Sequence, residues 1–586
     1  MLQIVHLTAP WDQILTALAI ALPCIMGCLA LIPRFSGKMF TYVPLAVLPA
    51  LMLSLAAPFR FTWHDFILAS SFALGPFHAI WLFVTAVLWL AAAWYGVYYL
   101  AHDAARGRYT FFFLGAMTGN IGLILAADPI TFFTFFAMMS FLSYGLVIHD
   151  GTPEAKQAGR VYLSMAVAGE VLQFAAMSML IFPMIGNSEP LTFQSLEYSA
   201  NPLITGLLIV GFGIKAGLLG LHVWLPMAHP VAPTPASAVL SGSMIKAGLL
   251  GWMTLLPLGR IGMEMPLTSN VLIVLGLTGA LVTALLGVLQ MNPKAVLAYS
   301  SVSQMGLIIT AVGVTLAQPS LFAVMKWIIL IYVAHHAFAK SLLFLSVGLK
   351  TVRPLKRLEH SVFWGGTVLA ALALTGAPLT AGMIAKALMK DTILNSQLDH
   401  AGLVVGVFTF AAVGTTLLMT RYLVLLSRMR HDEHHAVSRG IMLPWLLLLV
   451  MVIGFTFQLA LHLWGNHFMP YVSLAPSMKN LWPLLAGVLL YVLVALAWKR
   501  AGWTAVRIPP GDLLHPVLRL ANWGKIQTGV TLEKICSHKP LTSAPAVEAA
   551  RKVMHAITQA ENMLAMWRFG GCVFVVIAFL VIWASF

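Results

Sequence analysis

Residues 202–230 read PLITGLLIVGFGIKAGLLGLHVWLPMAHP. An apolar run opens the stretch, Lys215 sits near its middle, and Pro226 and Pro230 close it. A helix of roughly 20 residues crosses a hydrocarbon core of about 30 Å, so 202–226 reads as a membrane span. Lys215 then lies about a dozen residues from either end, roughly 18 Å from each face, at the membrane centre. A lysine or glutamate there costs about 2.5–3.5 kcal/mol on insertion scales, so it needs a partner, a water-filled cavity or a function. The prolines free backbone carbonyls that must line a polar cavity or meet water.

The pattern recurs along the chain. It is 60% hydrophobic and 9% charged, where a soluble domain is about 25% charged. Apolar runs at 12–33, 39–57, 76–101, 109–127, 129–148, 159–184, 202–226, 236–258, 267–289, 296–316, 321–348, 362–390, 402–427, 440–464, 481–499 and 567–585 give about sixteen transmembrane helices. The expected fold is therefore all-α and integral to the membrane. The formal charge of +15 sits mostly in short loops, which points to membrane topology and away from nucleic acid. Arg34, Lys38, Arg106, Arg108, Lys294, Lys350 and Lys499 fall on one side of the bilayer and only Arg60, Arg260, Lys390 and Lys479 on the other. That positive-inside bias places both termini outside, in a bacterial-type inner membrane. The first run lacks a preceding basic segment and reads as a retained helix.

Other ionisable residues share the setting of Lys215. Lys246 is central in span 8, and Glu170 lies inside span 6. His335, His336 and Lys340 lie in span 11, with His336 and Lys340 on one helix face. Lys386 lies toward the outer end of span 12, which is interrupted by TGAPLTAG at 375–382, including Pro378. Spans 7 and 12 are five apart, as inverted repeats produce, so 109–258 (spans 4–8) and 267–427 (spans 9–13) read as two five-helix halves. Residues 1–108 hold the first three spans, and 440–499 hold spans 14 and 15. Residues 501–566 form an inner-side amphipathic, proline-interrupted segment ahead of a final span at 567–585. Lysine, histidine and glutamate along the midplane suit protons, since sodium or calcium would need several oxygen ligands.

The remaining motifs read as structural. Cys24 and Cys28 stand one helical turn apart with no second pair, and no redox-cofactor motif appears, so no metal or cofactor is expected. His431, His434 and His435 read as a solvated turn. The polar face Ser300, Ser301, Ser303 and Gln304 suits either water between the halves or hydrogen-bond glue between helices.

The words HVWLP at 222–226, SGSMIK at 241–246, LAYSSVSQMG at 297–306 and HAFAKSLLFL at 336–345 resemble the antiporter-like subunits. This family is shared by respiratory complex I, group 4 membrane-bound hydrogenases such as formate hydrogenlyase, and multisubunit sodium/proton antiporters. The resemblance implies two inverted five-helix repeats, broken helices 7 and 12, and a proton pathway through Lys215, Lys246, His336, Lys340 and Lys386. The family's usual glutamate is absent at Ala137, and Glu170 is the candidate substitute partner for Lys215. Expected partners are other membrane subunits and, through them, a soluble redox or hydrogenase module. On this reading Lys215→Ala or Lys340→Ala abolishes proton movement. Three alternatives are a sodium/proton antiporter subunit, an energy-coupling partner for uptake of a solute such as inorganic carbon, and a structural anchor.

Overall fold

A computed structural model describes residues 10–64, 69–184, 191–196, 201–352, 355–430, 439–465, 481–500 and 511. The amphipathic segment at 501–566, the span at 567–585, both termini, Cys536, Cys572 and the histidines at 431, 434 and 435 lie outside the described residues, apart from Gly511. The chain divides into residues 1–62 with 70–510, and residues 63–69 with 511–586. The second unit contributes only Trp63, His64, Ala69 and Gly511 to the described residues, and the helices all belong to the first.

In chain order the helices are α1 (Trp11–Ala30), α2 (Pro33–Tyr42), α3 (Leu48–Leu53), α4 (Pro76–Tyr99), α5 (Arg106–Leu125), α6 (Pro129–Val147) and α7 (Pro153–Ile181). There follow α8 (Pro202–Ala216), α9 (Trp224–Val231), α10 (Thr234–Val239), α11 (Ile245–Leu255), α12 (Pro266–Val288), α13 (Pro293–Ala317) and α14 (Phe322–Val352). The last are α15 (Arg357–Thr375), α16 (Ala381–Leu394), α17 (Ala401–Arg428), α18 (Met442–Val450), α19 (Thr456–Trp464) and α20 (Leu481–Arg500). Among the described residues, 11 helical stretches are long and apolar enough to cross a membrane. α13 and α14 are enclosed by protein on every side, whereas α1, α7, α12 and α17 keep apolar faces for lipid.

Local chemistry explains where helices start. Asp128, Thr152, Asn201 and Asn292 each accept a hydrogen bond from a first-turn amide, and each is followed by proline at the first helical position. The side chain satisfies an orphan N–H, and proline has none to satisfy. Asp128 also accepts from Ser71 N at 2.8 Å. This ties α6 to a two-stranded hairpin, β1 (Phe59–Trp63) and β2 (Ser70–Leu74), which the all-α expectation omits.

Both interrupted spans end their first half on a left-handed glycine. Gly217 closes α8 at φ 77°, and Gly376 closes α15 at φ 82°, a conformation that glycine adopts without Cβ strain. Pro378 lies in the connection between α15 and α16. Pro226 and Pro230, by contrast, lie inside α9. The first interruption therefore falls at Gly217–Val223: Pro226 sits in the first turn of α9, whose amides have no intrahelical partner, and Pro230 sits one residue before the helix ends. Between α10 and α11 the helix widens into a π turn at Leu240–Met244, immediately before Lys246.

Candidate functional site

At the amino-terminal end of the buried polar groups, α8 carries Lys215 two residues before its glycine cap. Its Nζ donates to Tyr162 Oη at 2.9 Å and Ser140 Oγ at 3.1 Å. Tyr162 Oη in turn donates to the Ser140 carbonyl at 2.8 Å. The ammonium also lies 5.1 Å from the Tyr162 ring centroid and 5.7 Å from that of Trp224, within cation–π range. Trp224 Nε1 reaches back across the break to the Ile214 carbonyl at 2.7 Å. Among the described residues no ion pair joins Lys215 to Glu170. Glu170 is buried and among the described residues its Oε1 has no hydrogen-bond partner; Lys215 acts on its carboxyl electrostatically, and Ser140 acts on the carboxyl as well as on Lys215. Neutral hydroxyls and two aromatic rings make the short-range contacts to Lys215, and Glu170 acts on it through space.

The centre is built differently. Lys246 Nζ donates to the Ser241 carbonyl at 2.5 Å, within the wide π turn. Ser241 Oγ and Ser301 Oγ are 2.6 Å apart, Ser301 Oγ donates to the Leu297 carbonyl at 3.1 Å, and Lys340 Nζ donates to that same carbonyl at 2.8 Å. A hydroxyl has one proton. With Ser301 donating to Leu297, Ser241 is the donor between the two serines; that serine segment has a defined sense, while the lysine at each end of the line donates to a backbone carbonyl, Lys246 to Ser241 and Lys340 to Leu297.

The polar face of α13 resolves residue by residue. Ser301 belongs to that line. Ser303 binds the Ala280 carbonyl of α12, and Gln304 links Tyr332 of α14 to Thr415 of α17 at 2.8 and 2.9 Å, so these two join helices. The Ser300 hydroxyl is buried without a hydrogen-bond partner among the described residues.

Beyond Lys340 the groups continue along α14 to the second break. His336 and His335 are buried, and among the described residues none of their ring nitrogens has a hydrogen-bond partner. Lys246 and Lys386 both act electrostatically on His335, and the same two with Lys340 on His336. His335 Nε2 lies against Gly382, where a Cβ would approach it to 2.7 Å and collide with the Ala373 carbonyl. Gly382 therefore makes room for the imidazole at the break. Lys386 Nζ donates to the Leu374 carbonyl across that break at 2.7 Å. A cavity of 30 Å³ beside it is lined by Gly376, Lys386, Lys390, Thr409 and Pro483, among others.

At the other, basic end, outside the spans, His149 Nε2 lies 2.9 Å from Asp103 Oδ2, and Arg108 donates to the His149 carbonyl at 2.6 Å. The His149 hydrogen bond holds the Asp103 carboxyl below the usual carboxylate range, outweighing burial. Several of these participants carried no sequence signal. Tyr162 and Ser140 meet Lys215 from 53 and 75 residues away in the chain. His229 and Lys294 were visible only as parts of a break and a loop.

The fold and this row of buried amines and imidazoles define a multi-pass membrane protein of the antiporter-like class. Residues 126–418 match the family described as "NADH:quinone oxidoreductase/Mrp antiporter, TM", and the chain belongs to that family. It is 31% identical over 280 residues to hydrogenase-4 component B of Escherichia coli, covering 46% of this chain and 42% of that one. It is 28% identical over 369 residues to NADH-ubiquinone oxidoreductase chain 5 of Paracentrotus lividus, covering 60% and 54%. To the putative antiporter subunit mnhA2 of Staphylococcus haemolyticus it is 24% identical over 517 residues, covering 81% and 63%. The chain thus spans 42–63% of the length of these curated relatives. Its fold is similar to a chain of the Mrp complex of Dietzia sp., with a TM-score of 0.69 and 20% identity over 95% of this chain and 63% of that one. It is also similar to a chain of an archaeal membrane-bound sulfane sulfur reductase, with a TM-score of 0.61 and 20% identity over 79% and 99%.

Proposed function

We propose that this chain is a proton-translocating subunit of a redox-coupled membrane complex, related to complex I and to group 4 hydrogenases. The observation that carries the reading is the buried group of Lys246, Ser241, Ser301 and Lys340, with both amines held by backbone carbonyls, of Ser241 and Leu297, inside helices sealed from lipid. Lysines and imidazoles exchange protons without a cofactor. Buried imidazole nitrogens need hydrogen-bond partners, and in a polar interior water supplies them. From Lys340 protons pass His336 and His335 to Lys386 and leave past Lys390, on the side with fewer basic loops. Both termini lie on that same outer side of a bacterial inner membrane. Lys215 and Glu170 form the charge cluster at the amino-terminal end, bridged by Ser140, and bias the axis through their field. Partner subunits supply the energy, including a soluble redox or hydrogenase module.

The test is proton uptake by inverted membrane vesicles carrying the whole complex. Lys340→Ala abolishes proton movement while the complex stays assembled; wild-type movement in that variant overturns the reading. An antiporter subunit is the second reading, favoured by the fold similarity to an Mrp complex. It predicts that an imposed sodium gradient moves protons in the same vesicles without an electron donor.

A further inference from the structure

Two fully buried histidines, His222 and His229, lie outside the line from Lys246 to Lys386. His229 stands in α9, its ring stacked 4.7 Å from that of Phe344, and among the described residues neither ring nitrogen has a hydrogen-bond partner. Three charged groups act on it: Lys294, Lys340 and Lys246. Two of them are the ends of the central line, and the third starts α13 at the basic end of the bundle. Lys294 is half-buried, and its Nζ donates to the Ala232 carbonyl at 2.8 Å. Ser237 Oγ donates to the same carbonyl at 3.3 Å and to the His229 carbonyl at 3.1 Å. Asp150, exposed at that end, acts electrostatically on Lys294.

His229 is therefore tied through Ser237 and the Ala232 carbonyl to Lys294 at the basic end, and lies within the electrostatic reach of Lys246 and Lys340 at the centre. Lys215 offers no comparable approach. Gly217, just past it, faces Leu225, Ile245 and Val302, and among the described residues Lys215 and Lys246 share no hydrogen-bond partner. We propose that His229, with Lys294 and Asp150, forms the inlet through which protons reach Lys246 and Lys340 from the basic face. This rests on the proton-translocating reading above. Imidazole suits the step because one ring nitrogen takes a proton while the other releases one. No net charge stays on the ring, which is left in the opposite tautomer and resets by reorienting. At the mouth Asp150 is exposed and Lys294 half-buried, so water reaches both.

The test compares variants of the whole complex in inverted vesicles, whose outer bulk faces the basic end. His229→Phe and His229→Gln lower proton movement about tenfold or more, and Lys294→Met about threefold, with the chain present at wild-type level. In the His229 variants the rate climbs as the bulk pH is lowered, which a loss of packing alone would not produce. Wild-type rates in His229→Gln across the pH range overturn the inlet. If His229→Phe does not reach the membrane, His229→Gln and Lys294→Met carry the same comparison. Failure of the underlying reading looks different: there Lys340→Ala itself pumps normally, whatever the His229 variants do.

Discussion

The two broken spans share one backbone device and use it in opposite ways. Each ends its first half on a left-handed glycine, Gly217 or Gly376, and in each a side chain from the second half bonds a carbonyl of the first. In the amino-terminal break that side chain is the neutral Trp224, and the lysine stands upstream among hydroxyls and aromatic rings. In the carboxy-terminal break the lysine itself, Lys386, makes the crossing bond, and His335 presses against the break at Gly382. One lysine is held by the hydroxyls of neighbouring helices, and the other by the carbonyl across its own break. The same backbone device thus surrounds its buried lysine with different partners at the two breaks.

Proton flux sharpens this comparison most. Lys340→Ala brings movement to background, whereas Lys215→Ala lowers it about tenfold, through loss of a field and not of a carrier. Equal abolition by both, the outcome expected from family resemblance alone, would make the two halves alike and break the contrast. Next comes packing at the second break. Gly382→Ala forces a Cβ onto the Ala373 carbonyl and His335, and such overpacking destabilises by about 1–3 kcal/mol or more; thermal unfolding of the purified complex measures it. The Asp103–His149 pair, remote from both breaks, supplies a control. Because the folded-state pKa of Asp103 is depressed, its contribution is present above the unfolded pKa and is lost as pH falls through the folded one. Asp103→Asn should therefore flatten the acid limb of the stability profile and leave flux at neutral pH unchanged. The smallest effect is expected at Leu379, which sits at φ 63° in the second break with its side chain 64% exposed. A bulky residue there carries strain of about 1–3 kcal/mol. Leu379→Gly relieves it but frees the unfolded chain, and raises stability by roughly 1 kcal/mol or less. No gain in melting temperature would mean that the loop is not strained.

Much of this was legible because lipid imposes so strict a rule. Runs such as 266–288 have one economical home, and a lysine such as Lys246 or Lys340 in the middle of one announces itself by its solvation cost. The same rule says nothing about neutral partners. Ser140 and Tyr162 are ordinary residues until α6 and α7 bring them to Lys215, whereas Glu170 announced itself as a buried charge inside a span. The first break was read from Pro226 and Pro230, which carry a strong signal but sit in the first and last turns of the short α9 and not at the break. Gly217 did the breaking, and one glycine among many has no mark in a single sequence. The hairpin strands escaped for a related reason: segments as short as Phe59–Trp63 and Ser70–Leu74 are too brief for alternation to stand out beside long apolar helices.

The widened turn at Leu240–Met244 has a geometric corollary. An α-helix advances about 100° per residue, so one additional residue in a turn swings everything after it by that angle relative to a regular rod. The bearing of Lys246 toward Ser241 and the serine of the neighbouring helix is thus fixed by residue count as much as by residue type. Deleting a single amino acid from 240–244 would rotate an unchanged lysine out of register with its line.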